Sequence, residues 1–111
     1  MKGFEVGAGT PVLLHLHGPK EKVWGLLVAL DSNGILVRGI DLESFDDWLR
    51  QEARGEEAFL GLTTLFYPMH RVERMERDET VGPVTSYADR FFAEVGRSVD
   101  EIAEEQLRRR G

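Results

Sequence analysis

Apolar and polar residues alternate along the first part of the chain, which is the pattern of β-strands buried on one face. A first strand is predicted over residues 11–17, where every second residue from Val12 to Leu16 is apolar. A second strand is predicted over residues 22–30, and it is apolar on both faces, as central strands are. Gly25 lies within it and indicates a bend or bulge, which lets a sheet curl.

The next elements are a hairpin and two further strands. Asn33-Gly34 between two apolar runs predicts a tight turn, because both residues tolerate a positive φ, and a third strand follows over residues 35–42. A fourth strand is predicted over residues 58–67 and a short, charged fifth strand over residues 71–76. The charges of the fifth strand indicate that it lies at a sheet edge.

A short helix is predicted between the third and fourth strands. Ser44 is expected to cap it, with Asp47 at the reciprocal capping position. Phe45, Trp48 and Leu49 form its apolar stripe, which is expected to cover one end of the curled sheet, with exposure to a partner as the alternative. Three further aromatic residues are expected in the core: Trp24, Phe59 and Phe66.

The hydrophobic period becomes helical after Gly82-Pro83. Ser86 is expected to cap a helix that ends at Gly96, and Ser98, with Glu101 three residues on, predicts a second helix.

The pattern therefore predicts a chain that is mainly β with a helical C-terminal part. Residues 1–80 are expected to form the strand-rich domain, with the helical insertion near 44–54, and residues 81–111 a helical extension that packs either on this domain or on a neighbouring subunit.

Composition narrows the classes of function. The chain has 111 residues and a net charge of −6. The negative charge disfavours general electrostatic attraction to the phosphates of RNA, and it makes a DNA partner unexpected. The absence of cysteine excludes disulfides and thiolate chemistry, and it fits a reducing cytoplasmic location. No apolar run approaches the roughly 20 residues of a membrane span, so no membrane partner is expected. Abundant charges and few amides are typical of thermophile proteins.

Two segments carry a family resemblance. Residues 12–16 followed by 23–31, a strand, a turn and a bent glycine-containing strand ending in Asp31, resemble the first motif of the Sm-like (LSm) small β-barrels. Residues 66–72, a turn with a histidine leading into a last strand, resemble the second motif. The resemblance implies a five-stranded SH3-like barrel that forms homo-oligomers through edge pairing of its fourth and fifth strands.

The same resemblance suggests an RNA site, because two turns share one face of that fold. The candidate ligand- or RNA-binding residues are Ser32, Asn33, Tyr67, Met69, His70 and Arg71. The sequence departs from the family pattern in that no aromatic residue lies in the turn at Asn33. Arg71, Arg74 and Arg77 recur every three residues, and they indicate either a salt-bridged edge or a small phosphate-binding patch beside Tyr67.

Catalytic chemistry has little support in the sequence. His15, His17 and His70 could form a three-nitrogen metal site if the chain brought them together, but no metal-ligand spacing accompanies them. The acid pair Asp46-Asp47 is explained by a helix start. No catalytic residue and no cofactor is predicted. The leading hypothesis is a non-catalytic, homo-oligomeric Sm-like binding module with an unknown ligand; the alternatives are an RNA-binding Sm-like protein and a metal-dependent enzyme using the three histidines.

Overall fold

The structure is a computed structural model, and it describes residues 6–110, with side chains through residue 108. The chain forms two compact units: the first comprises residues up to Glu43 together with Leu62–Arg77, and the second comprises Ser44–Gly61 and the residues from Asp78 onward. The strands are β1 (Pro11–Leu16), β2 (Glu21–Leu30), β3 (Gly34–Asp41), β4 (Thr63–Pro68) and β5 (Val72–Arg77). The helices are α1 (Phe45–Arg54), α2 (Tyr87–Val95) and α3 (Val99–Arg110).

The first unit is a single antiparallel sheet with the strand order β4-β3-β2-β1-β5. The prediction of a mainly β chain with C-terminal helices is confirmed, and so is the edge position of β5. The sheet is not closed, because β4 and β5 lie at opposite edges and do not pair with each other.

One face of the sheet carries the apolar core of this unit. The alternation in β1 is confirmed, since Val12, Leu14 and Leu16 are all buried. Side chains from both edges of the sheet pack against the same core cluster: Leu65 of β4 and Met75 of β5 both contact it. A sheet whose two edges share one core must be curled.

The bulge of β2 is not at Gly25. Gly25 lies directly opposite Gly39 of β3, so two residues without side chains face each other across the strand pair. The bulge that the sequence suggested at Gly25 lies instead between Leu27 and Ala29, where the register with β3 shifts. A bulge adds one residue to one strand and increases the local twist.

The hairpin between β2 and β3 forms as predicted, but by a different backbone conformation. Within residues 6–110 no residue other than glycine has a positive φ, and Gly34 also keeps an ordinary φ. The turn is held by the Asp31 carboxylate, which accepts hydrogen bonds from the N–H groups of Asn33 at 2.8 Å and Gly34 at 3.3 Å. Asp31 therefore acts as a local substitute for a backbone acceptor.

Strand β4 begins five residues later than the sequence pattern indicates, and the side chain of Gln51 explains why. Its amide oxygen accepts hydrogen bonds from the N–H groups of Phe59 and Leu60 at 2.9 and 3.0 Å, and its amide nitrogen donates to the Leu60 carbonyl at 2.9 Å. These backbone groups are therefore hydrogen-bonded to Gln51 and not to a neighbouring strand. The prediction that Phe59 lies in the core is wrong, since its side chain is 86% exposed.

The second unit is held by an aromatic cluster between α1 and α2. The rings of Trp48 and Phe91 lie 4.7 Å apart, and Phe45 meets Trp48 edge-on at 5.7 Å and Tyr87 at 5.1 Å. The apolar stripe of α1 is therefore buried within this unit, and it is not exposed to a partner. The expected Ser44 cap is wrong: Ser44 belongs to a 3₁₀ turn that runs directly into α1, and its side chain caps nothing.

The caps of the two C-terminal helices are confirmed. Ser86 accepts a hydrogen bond from the Asp89 N–H at 3.0 Å, and Ser98 accepts one from the Glu101 N–H at 3.2 Å. The carboxylate of Asp78, which the sequence did not single out, accepts two further N–H groups from the first turn of α2. The first three N–H groups of α2 therefore all have side-chain hydrogen-bond acceptors.

Candidate functional site

The two turns that the family resemblance pairs do adjoin in the structure. The carbonyl oxygen of Asn33 accepts a hydrogen bond from the Met69 N–H at 2.9 Å, and Gly34 pairs with Pro68 in the β3–β4 ladder. Ser32, Asn33 and His70 are exposed around this contact. Three of the six predicted residues thus form one accessible surface, which we call the turn surface: Ser32, Asn33 and His70, with Met69 partly buried at its centre.

Phe66 belongs to this surface, although the sequence assigned it to the core. Its side chain is 55% exposed on β4. A side-chain carbon added to Gly34 would lie 2.6 Å from the Phe66 ring, so the ring rests directly over the Gly34 backbone. The alternation in β4 could have revealed this, because Phe66 and the buried Tyr67 must lie on opposite faces of the strand. The turn at Asn33 therefore has an exposed aromatic neighbour after all.

Tyr67 and Arg71, in contrast, are engaged within the protein: Tyr67 is buried, and Arg71 is hydrogen-bonded to other residues. Tyr67 is buried, and this burial raises the pKa of its phenol; the charges of Glu21 and Asp41 raise the pKa further, while Arg71 lowers it. The guanidinium of Arg71 lies 5.8 Å from the centre of the Tyr67 ring. It also donates hydrogen bonds at 2.7 Å to the Pro19 carbonyl and to the Glu21 carboxylate.

Arg71 thus ties the turn after β4 to the turn between β1 and β2. A further hydrogen bond from its Nε reaches the His17 carbonyl at 3.2 Å, and its own carbonyl accepts the His17 N–H at 2.9 Å. Both observations assign Arg71 a structural role. Arg74 is likewise paired, with Glu76 at 3.0 Å, so these two arginines fit the salt-bridged edge and not the phosphate patch.

The histidines do not form a metal site. Nε2 of His15 lies 2.6 Å from a carboxylate oxygen of Glu76, whereas His17 and His70 are exposed. In the part of the chain that the structure describes, no group of three or more histidine, aspartate or glutamate side chains could hold a metal ion. All three histidines lie within that part, so the three-histidine cluster considered from the sequence does not form.

The acid pair at the start of α1 is engaged in ion pairs. Asp46 lies 2.7 Å from the guanidinium of Arg90, and Asp47 pairs with Arg50 one turn along the helix. Charges held in this way stabilise helix ends and helix contacts, and they give no reason to assign proton transfer to these residues.

No helix among the described residues is long and apolar enough to cross a membrane. Comparisons with protein-family models, with curated proteins and with solved structures found no match for this chain. Proposals about its function must therefore come from the sheet and from the surfaces that it presents.

Proposed function

We propose that this protein is a non-catalytic binding module built on an Sm-like small barrel, and that copies of it assemble through the edges of the sheet. The observation that carries the proposal is the strand order β4-β3-β2-β1-β5, which leaves β4 and β5 without a pairing strand on their outer sides among the described residues. Unpaired edges offer rows of backbone donors and acceptors to another chain.

The two edges differ in a way that favours pairing of unlike edges. Strand β4, with the sequence TTLFYP, carries no charge, and Thr63 and Thr64 are exposed on it. Strand β5, with the sequence VERMER, carries four charged side chains. Two β5 edges would bring charged rows together, whereas β4 against β5 places an uncharged edge beside a charged one. Contacts between unlike surfaces are head-to-tail, and they close into rings when the rotation permits.

We expect the substitution Thr63→Lys to dissociate the assembly. A lysine in place of the exposed Thr63 adds a charge to the uncharged strand β4, and charges on an edge strand oppose strand pairing. Light scattering of the unmodified chain should give one defined oligomer, and that of the variant a monomer with an unchanged circular dichroism spectrum. Val84→Lys, at an exposed position outside the sheet, adds the same charge and should leave the oligomer intact. A monomeric unmodified chain would contradict the assembly.

A second candidate function, binding of single-stranded RNA, is favoured by the turn surface. Asn33 and Ser32 offer polar groups there, and the exposed ring of Phe66 offers a face on which a base can stack. The net charge of −6 provides no general attraction for phosphates, so stacking and hydrogen bonds must supply the affinity.

We expect Phe66→Ala to weaken binding of a short oligouridine at low salt by about tenfold, the loss typical of one base–aromatic stack. Fluorescence anisotropy with a labelled oligonucleotide measures this change. The matched control is Phe59→Ala, which removes an even more exposed ring from the second unit. Light scattering on both variants separates a loss of stacking from a loss of assembly. No binding by the unmodified chain at low salt removes the RNA hypothesis and leaves the assembly proposal standing.

A further inference from the structure

A cleft lies at the opposite end of β2 and β3 from the turn surface. Its volume is about 610 Å³, within the roughly 300–1,000 Å³ of small-molecule pockets. The register places it there, since Val23 at the start of β2 pairs with Asp41 at the end of β3. The lining residues are Lys20, Glu21, Lys22, Asp41, Leu42 and Glu43.

Four of the charged side chains in this cleft have no ion-pair partner among the described residues: Lys20, Lys22, Asp41 and Glu43. The two lysines come from the turn before β2 and from its first residues, and the two acids come from the end of β3 and the turn that follows it. Glu21 differs, because it is bound to Arg71. The cleft thus presents two positive and two negative groups, none of which is neutralised by another.

Tyr67 lies beside this cleft, since the charges of Glu21 and Asp41, two of the lining residues, both raise the pKa of its phenol. Tyr67 is only 9% exposed, and no residue in the described part of the chain forms a hydrogen bond with its hydroxyl. Its ring lies below Arg71, and Arg71 binds Glu21 in the wall of the cleft.

We infer that this cleft binds a small zwitterion, a molecule of amino-acid size that carries one ammonium and one carboxylate group. Lys20 and Lys22 receive the carboxylate, and Asp41 and Glu43 receive the ammonium group, each through charge-assisted hydrogen bonds. The Tyr67 hydroxyl donates to or accepts from the part of the ligand that lies beside Asp41. The site lies within one chain, so this inference extends the proposed binding function without depending on assembly.

The test is a titration of the full chain with the twenty free L-amino acids, first by thermal unfolding and then by calorimetry. At least one of them should raise the unfolding temperature, because a ligand that binds only the folded state stabilises it. Its N-acetyl derivative, which lacks the ammonium charge, and its amide, which lacks the carboxylate, should each bind at least about tenfold more weakly. If either derivative binds as tightly as its parent amino acid, the proposal of a zwitterionic ligand is overturned. It is also overturned if none of the twenty amino acids binds.

Variants locate the binding in the cleft. Asp41→Asn and Lys22→Gln should each weaken binding by about tenfold, and Tyr67→Phe by severalfold. Glu57→Gln, an exposed acid of the second unit, controls for the change in net charge and should have no effect. The Thr63→Lys variant should bind like the unmodified chain. Equal affinity in Asp41→Asn, Lys22→Gln and the unmodified chain overturns the site, while the assembly proposal is decided separately by light scattering.

Discussion

Replacing Trp48 by alanine is expected to lower the free energy of unfolding by about 3–5 kcal/mol, the usual cost of removing a large aromatic side chain from a core. Trp48 is fully buried, and its ring lies 4.7 Å from Phe91 and 5.7 Å from Phe45. Its removal takes away one of the aromatic side chains that join α1 to α2. Because the backbone of a helix cannot collapse into the space, most of the cavity should remain.

The measurement is denaturant unfolding followed by far-ultraviolet circular dichroism. Tryptophan fluorescence is unsuitable, because the variant keeps only Trp24. Phe59→Ala is the matched control: it also removes an aromatic ring from the second unit, but an 86% exposed one, and it should cost about 0.5 kcal/mol or less. A loss below about 1 kcal/mol in Trp48→Ala would show that this ring is not enclosed as described.

Replacing Gln51 by leucine is expected to cost about 2–4 kcal/mol. One buried amide here serves three backbone groups of the segment before β4, and leucine keeps its size but none of its hydrogen bonds. Each buried polar group left unpaired costs about 1–3 kcal/mol, and part of this loss is recovered where the segment can reach water.

The variant Gln51→Glu provides a graded comparison. A carboxylate still accepts the N–H groups of Phe59 and Leu60, but it cannot donate to the Leu60 carbonyl. Its loss of stability should therefore be smaller than that of Gln51→Leu. Hydrogen exchange at the amides of Phe59 and Leu60, followed by NMR, should become fast in Gln51→Leu and stay slow in Gln51→Glu. Equal losses in the two variants would contradict the role of the amide oxygen.

The strands and the terminal caps could be predicted because their causes are local. Alternation along β1 identifies its buried face from adjacent residues, and the Ser86 and Ser98 caps require only a hydroxyl three residues before a free N–H. The edge position of β5 also follows from local charge. In each case the physical interaction and the sequence pattern extend over the same few residues.

The start of β4 and the position of Phe59 could not be predicted, because they depend on Gln51, eight residues away in the chain. Nothing in the pattern of residues 58–62 indicates that a distant amide will occupy their backbone groups. The predicted Ser44 cap was wrong for a related reason. The 3₁₀ turn that precedes α1 gives Ser44 a helical conformation, which an N-cap residue does not have.

The candidate sites also include features that could be predicted from the sequence and features that could not. The nearness of Asn33 and Met69 was predicted from the family resemblance. The structural role of Arg71 could not be predicted, because its partners Pro19 and Glu21 lie fifty or more residues earlier in the chain. The cleft was missed since Lys22 and Asp41 look like ordinary surface charges when each is considered alone. Only the antiparallel register of β2 and β3 brings their strand ends together.

The facing glycines of β2 and β3 also constrain how this sequence can change over time. A side-chain carbon at Gly25 would lie 2.9 Å from the Arg38 carbonyl oxygen, and one at Gly39 would lie 2.8 Å from the Trp24 carbonyl oxygen. Each position is thus restricted by the backbone of the opposite strand, which no compensating side-chain substitution can remove. Among descendants of this chain we expect the two glycines to persist together, and the curvature of the sheet to be inherited even where the surfaces it supports diverge.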